Sequence, residues 1–229
     1  MRSTALVSVL LRSLVVCVRA DGIHGNLETR NDTVIAFDEI TTSKGLANIS
    51  SPYHHLVFSS GFSIIAPNDK ALDDTISPND RNCAVSRPNA LIGSRYHPGN
   101  ESDESAPFLK IHSTENDELS PYFDLLSFYI KPLDAPEPGT SIYLHGYSVA
   151  QDRPNPDWSV SFPAGYHEPL LVTAEMLGHG WDKLEKVAIW AIYGKEDDLD
   201  WEFCVDDLRV QRYGNSKRDG EVFDFMDEM

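Results

Sequence analysis

The chain has 229 residues, 41% of them hydrophobic, and a formal net charge of −17 at pH 7. The length fits one β-sandwich domain. The charge argues against a nucleic-acid partner and against an anionic membrane surface, while it suits solubility outside a cell and the binding of cations.

Residues 1–20 read as a signal peptide. Met1-Arg2 gives a positive start, Ala5 to Val18 is mostly apolar although Arg12 interrupts it, and Val18-Arg19-Ala20 has the small-x-small form of a cleavage site. No later stretch is long enough to span a bilayer. Three sequons follow, at Asn31, Asn48 and Asn100, and they place glycosylation on the surface of a secreted chain. Removal of Arg2, Arg12 and Arg19 takes the charge to about −20. It also removes Cys17, leaving Cys83 and Cys204, which an oxidising compartment would join; the alternative is two separate buried thiols.

In chain order, residues 21–32 form a polar lead-in. Thr33 to Ile40 is the first expected strand, with Ile35 and Phe37 on one face and Asp38 and Glu39 at its end. Residues 41–53 read as loop. His54 to Ala66 reads as two strand pieces around Ser60-Gly61, with Leu56 and Phe58 pointing one way. Residues 67–106 carry prolines at near-regular spacing and little periodicity, so they read as a long loop that Cys83 cross-links. Phe108 to Ser113 and Asp124 to Ile130 are further strands. Thr140 to Ala150 follows, with Ile142 and Leu144 facing the core and Tyr143, His145 and Tyr147 facing the other way. Trp158, Val160 and Phe162 share one side of the next strand. Glu168 to Glu175 is another, and Leu177 to Asp182 a turn.

The densest information lies between Val187 and Val210, which reads as two strands joined by the acidic turn Glu196-Asp197-Asp198-Leu199-Asp200. Trp201, Phe203 and Val205 alternate with Glu202, Cys204 and Asp206; Leu208 and Val210 are then apolar on the other parity. A one-residue slip would turn the apolar set to the wrong face, so a β-bulge is expected at Asp206-Asp207. Residues 214–229 read as an acidic, disordered tail containing Lys217-Arg218, a dibasic pair. The sum is nine or ten short strands and no long helix, an all-β sandwich of jelly-roll type spanning 33–213.

Five motifs carry a resemblance: Phe37-Asp38-Glu39, Ser86-Arg87-Pro88-Asn89-Ala90, the Phe123 to Tyr129 strand, Gly146-Tyr147, and Phe203 to Leu208. Over residues 33–210 the chain resembles a set of secreted, largely uncharacterised fungal proteins. Their jelly-roll domain is similar to carbohydrate-binding modules and galactose-binding-like domains. The resemblance implies a structural calcium between the first and last strands, held by Asp38 or Glu39 and by Asp206 or Asp207. The Arg87 loop and Cys204 depart from the group's usual pattern. The Glu196–Asp200 turn is a second place for calcium, though it lacks the glycine and spacing of an EF-hand loop.

The eight histidines show no metal-ligand spacing, and His54-His55, if on a strand, point to opposite faces. There is no Gly-x-Ser-x-Gly elbow and no phosphate-binding glycine loop. The ligand face is expected at Tyr143, His145 and Tyr147, flanked by Trp158 and Trp181, because aromatic planes with polar tips suit the apolar face of a sugar. The bland alternative is that these aromatics pack the second sheet. The functional expectation is a secreted, monomeric, non-catalytic module that binds a carbohydrate or another small extracellular ligand. Two other readings stay open: an enzyme or accessory protein of a fungal secondary-metabolite pathway, and a secreted effector or cell-wall interaction protein.

Overall fold

The computed structural model describes residues 29–94, 108–111, 119–133, 140–150, 153–193 and 201–214. The expected signal peptide, the Asn100 sequon, the Glu196–Asp200 turn and the acidic tail beyond Gly214 lie outside them. Twelve antiparallel strands are present among the described residues: β1 (Thr29–Ile35), β2 (Leu46–Asn48), β3 (Leu56–Phe58), β4 (Phe62–Ile65), β5 (Ala90–Ser94), β6 (Phe108–Ile111), β7 (Leu119–Pro132), β8 (Thr140–Ser148), β9 (Asp157–Phe162), β10 (Leu170–Thr173), β11 (Leu184–Ile192) and β12 (Trp201–Gly214). One four-residue helix, α1 (Ala174–Leu177), follows β10 and is capped by the Thr173 hydroxyl.

The strands form two layers. The first runs β2-β4-β5-β12-β7-β10, with β1 beside β12 beyond the end of β5. The second runs β3-β6-β11-β8-β9. A single pairing, Leu184 with Phe123, links the layers at β11 and β7. Between them lies the main core, in which Phe123, Phe128 and Phe203 meet Ile142, Leu144, Val187 and Ile189. Gly93 on β5 is required there: a Cβ would stand 2.1 Å from the Phe203 ring.

The two central strands are each 14 residues long and both change phase midway. On β12 the change is the expected bulge. Asp206 pairs with Tyr129 but the next pair is Arg209 with Ser127, and Asp207 takes a left-handed φ of 47°. The extra residue turns Leu208 and Val210 back to the core that Phe203 and Val205 fill. β7 answers with its own extra residue at Leu126, between Ser127 and Leu125.

Several expected elements differ. The first strand ends at Ile35; Phe37 to Ile40 is a turn, with Phe37 at φ 62°. Residues 41–53 contain β2, and 67–106 contains β5. His54 and His55 sit in a two-residue turn between Tyr53 and Leu56, both with positive φ, not on a strand. β11 and β12 follow each other in the chain but are not paired; they belong to different layers.

The outer face of the first layer is covered. The segment after β4 makes two short 3₁₀ turns and packs Leu72, Cys83 and Ala84 onto Ile65, Ala90, Ile92 and Cys204, a second small core. The Cys83–Cys204 disulfide expected from the sequence ties this loop to β12. Lys131, 0% exposed, reaches from β7 to Asp80 Oδ1 at 2.8 Å and Asn82 Oδ1 at 2.7 Å, and donates to the Asn79 carbonyl.

Candidate ligand-binding face

The outer face of the second layer is built differently. Along β8, Ile142, Leu144 and Gly146 point inward, so Tyr143, His145 and Tyr147 point outward and are half-buried. Registry with β11 sets Trp190 beside Tyr143, Ala188 beside His145 and Lys186 beside Tyr147. Registry with β9 sets Ser159 beside Tyr143 and Asp157 beside His145. Three strands thus carry one aromatic strip with small or polar neighbours.

The contacts follow from that registry. Tyr143 and Trp190 stack, with ring centroids 5.6 Å apart and planes 10° from parallel. Each ring uses one face on the other. On the β9 side Tyr143 pairs with Ser159, which is short and exposed. His145 Nδ1 lies 2.5 Å from Asp157 Oδ1, and the His145 ring meets Tyr147 edge-on at 4.6 Å. Lys186 Nζ sits 4.7 Å from the Tyr147 ring centroid, a cation–π contact. Ala188 stands opposite His145, between the Tyr143/Trp190 stack and Tyr147. Two-residue steps along a strand put those aromatics roughly 13 Å apart. The face therefore offers ring planes for an apolar surface, with serine hydroxyls, a carboxylate and an ammonium at its margins.

Trp158 and Trp181, expected to flank this face, do not. Trp158 pairs with Leu144, so it shares Leu144's inward direction; it packs against the core and donates to the Met176 carbonyl. Trp181 is 4% exposed and donates to the Leu177 carbonyl. Trp190, Lys186 and Asp157 join the site instead. Trp190 was visible as an aromatic in a strand, but its partner is fixed by the β8–β11 register, which no local pattern reports.

The acids expected to hold calcium are placed as follows. Asp38 Oδ1 accepts from the backbone N–H of Asn89, whose buried side chain donates to the Phe37 and Ile40 carbonyls. Asp206, 1% exposed, accepts from the N–H groups of Val85, Ser86 and Asp207 and from the Ser86 hydroxyl. Glu39 Oε1 lies 2.9 Å from His54 Nε2 on the surface. Asp207 is half-buried at the bulge. The first-strand turn, the 85–89 loop and the β12 bulge thus meet, as the resemblance implies, but through hydrogen bonds within the chain. A ring of N–H and O–H donors suits an anion, so Asp206 does not fit a calcium ligand, which needs bare oxygens. Burial pushes the Asp206 carboxyl up to about 7, against the pull of those donors. Among the described residues no group of three or more His, Cys, Asp or Glu side chains is arranged for a metal.

A depression of about 310 Å³ lies at the edge of the first layer, lined by Leu46, Ala47, Asn48 and Ser63. It brings together no acid, base or nucleophile beyond a serine. Asn31 and Asn48, two of the sequon positions, are both exposed.

No protein-family model and no curated protein matches this chain. Solved structures resemble it to differing degrees. A DUF4465 family protein from Bacteroides caccae superposes with a TM-score of 0.51 at 11% identity, covering 79% of this chain and 98% of that one. A DUF4465 family protein from Bacteroides ovatus gives 0.42 at 11% identity, covering 85% and 91%. A CBM28 carbohydrate-binding module specific for non-crystalline cellulose gives 0.28 at 17% identity, covering 55% and 75%. At such identity the first of these is a likeness of fold alone, and the chain is a β-sandwich of that kind.

Proposed function

We propose that this protein is a secreted, non-catalytic β-sandwich that binds carbohydrate on the outer face of its β8–β9–β11 layer. The observation that carries the reading is the Tyr143–Trp190 stack standing beside the polar outer edge of β9, Asp157, Ser159 and Ser161. A pyranose presents an apolar face of C–H groups and a rim of hydroxyls. The first packs against Tyr143, over Ser159; the second reaches Ser161 on one side and Asp157 on the other, and a neighbouring sugar of the same chain reaches Tyr147 and the Lys186 ammonium. Aromatic pairs are costly to expose unless something covers them, and the other outer face of the sandwich is already covered by its own loop.

The test is calorimetric titration with cellohexaose, laminarihexaose, xylohexaose and mannohexaose, repeated on Tyr143→Ala and Trp190→Ala. Saturable binding of at least one sugar, weakened in both variants, supports the reading. Binding of none, or binding indifferent to both substitutions, removes it.

A further inference from the structure

The covered face holds a constellation that packing alone does not require. Lys131 Nζ, Asp80 and Asn82 converge in a site where the Lys131 and Asp80 side chains are 0% and 4% exposed. Nζ lies 2.7 Å from Asn82 Oδ1, so the amide carbon is one bond beyond an atom it already touches. Asp80 Oδ1 lies 2.8 Å from the same nitrogen. On its other side, Asn82 Nδ2 donates to the His167 carbonyl at 2.8 Å and lies 3.5 Å from Glu168 Oε2. Asn82 is half-buried and Glu168 exposed, so the amide nitrogen is on the side open to solvent. A nucleophile, a proton carrier and an electrophile are thus held in order, with the leaving nitrogen facing outward.

We propose that Lys131 and Asn82 form an intramolecular isopeptide bond, with Asp80 as the proton carrier. Asp80 takes one proton from the Lys131 ammonium. The free amine attacks Asn82 Cγ, forming the C–N bond, and the carbonyl electron pair moves onto Oδ1, where the Asp80 proton steadies it. Asp80 then relays a proton from Nζ to Nδ2, the Cγ–Nδ2 bond breaks, and the carbonyl re-forms. Ammonia leaves past His167 and Glu168. Of the three ammonium protons, one stays on the new amide nitrogen, one departs with ammonia and one rests on Asp80. Nothing is oxidised or reduced. Fixed proximity replaces a collision between reactants, and the dry site keeps water from competing for the carbonyl. The bond would join β7 to the same loop that the Cys83–Cys204 disulfide joins to β12.

The experiment is peptide mapping by mass spectrometry on the full chain, reduced and digested under denaturing conditions. The expected result is a branched peptide carrying Asn82 and Lys131, one ammonia lighter than its two parts together, and absent from Lys131→Met and Asp80→Asn. Recovery of the two wild-type peptides separately at full mass overturns the proposal. So does a branched peptide one water lighter, which would place the link on Asp80. A bond that persists in Asp80→Asn overturns the role given to that carboxylate.

Discussion

The two outer faces of this sandwich are made from the same kind of strand and finished in opposite ways. On the first layer the outward residues Ile65, Ala90, Ile92 and Cys204 are apolar, and a loop is fixed over them by a disulfide, a buried Lys131–Asp80 pair and the Asp206 carboxylate. On the second layer the outward residues are Tyr143, His145, Tyr147 and Trp190, and they are half-buried. A protein that covers one face so thoroughly has the means to cover both. The aromatic side chains of this second face, in register and with polar neighbours, are the ones on which the proposed carbohydrate site rests.

The largest effects belong on the covered face. Replacing Cys83 and Cys204 by serine should lower stability by about 2–4 kcal/mol in urea unfolding, because the open chain regains the freedom of a long loop. A loss well under 1 kcal/mol would mean that the loop holds itself in place without the bridge.

Asp206 gives a pH signature on the same face. Its folded-state value is about 7, against an ordinary 3.8. Between those values the folded chain keeps a proton that the unfolded chain has released, so stability falls as pH rises through that window and levels off above it. In Asp206→Asn part of that slope should disappear from urea midpoints measured across the window. An unchanged slope would show that Asp206 stays ionised under its four donors. Calcium and a chelator should give the same melting temperature; a clear rise with calcium would contradict the hydrogen-bonded account of this residue.

On the open face the expectation reverses. Tyr143→Ala and Trp190→Ala should each cost less than about 3 kcal/mol, the partly buried area of the ring plus about 0.5–1.5 kcal/mol for the stacked pair. Sugar affinity should drop at least about tenfold, which is roughly 1.4 kcal/mol. Trp158→Phe sharpens the contrast. It removes one hydrogen bond to the Met176 carbonyl, worth about 1 kcal/mol, and should leave affinity unchanged. Lost binding in Trp158→Phe alone would move the site to the β9–α1 edge.

The sequence carried what alternation can carry. The inward Ile142 and Leu144, the outward Tyr143, His145 and Tyr147, the phase change at Asp206-Asp207 and the Cys83–Cys204 bridge were all legible. Strand β5 was not. Ala90 and Ile92 enter one core while Leu91 enters the other, so both parities are apolar and no period of two remains. Trp158, Val160 and Phe162 were correctly placed on one side, but nothing local said that this side faces the core. The same gap hid the Tyr143–Trp190 stack, because periodicity reports which way a side chain points and not which strand lies beside it. It also made β11 and β12 look like partners, when each pairs with strands far away in the chain.

The most direct measurement is two-dimensional NMR of the isotope-labelled protein titrated with the four hexasaccharides. The account predicts that one of them shifts the indole signal of Trp190 and the amides of β8 and β9 together, leaving Val85, Ser86 and the β12 bulge still. Shifts centred on the covered loop, or no shifts with any of the four sugars, would contradict it.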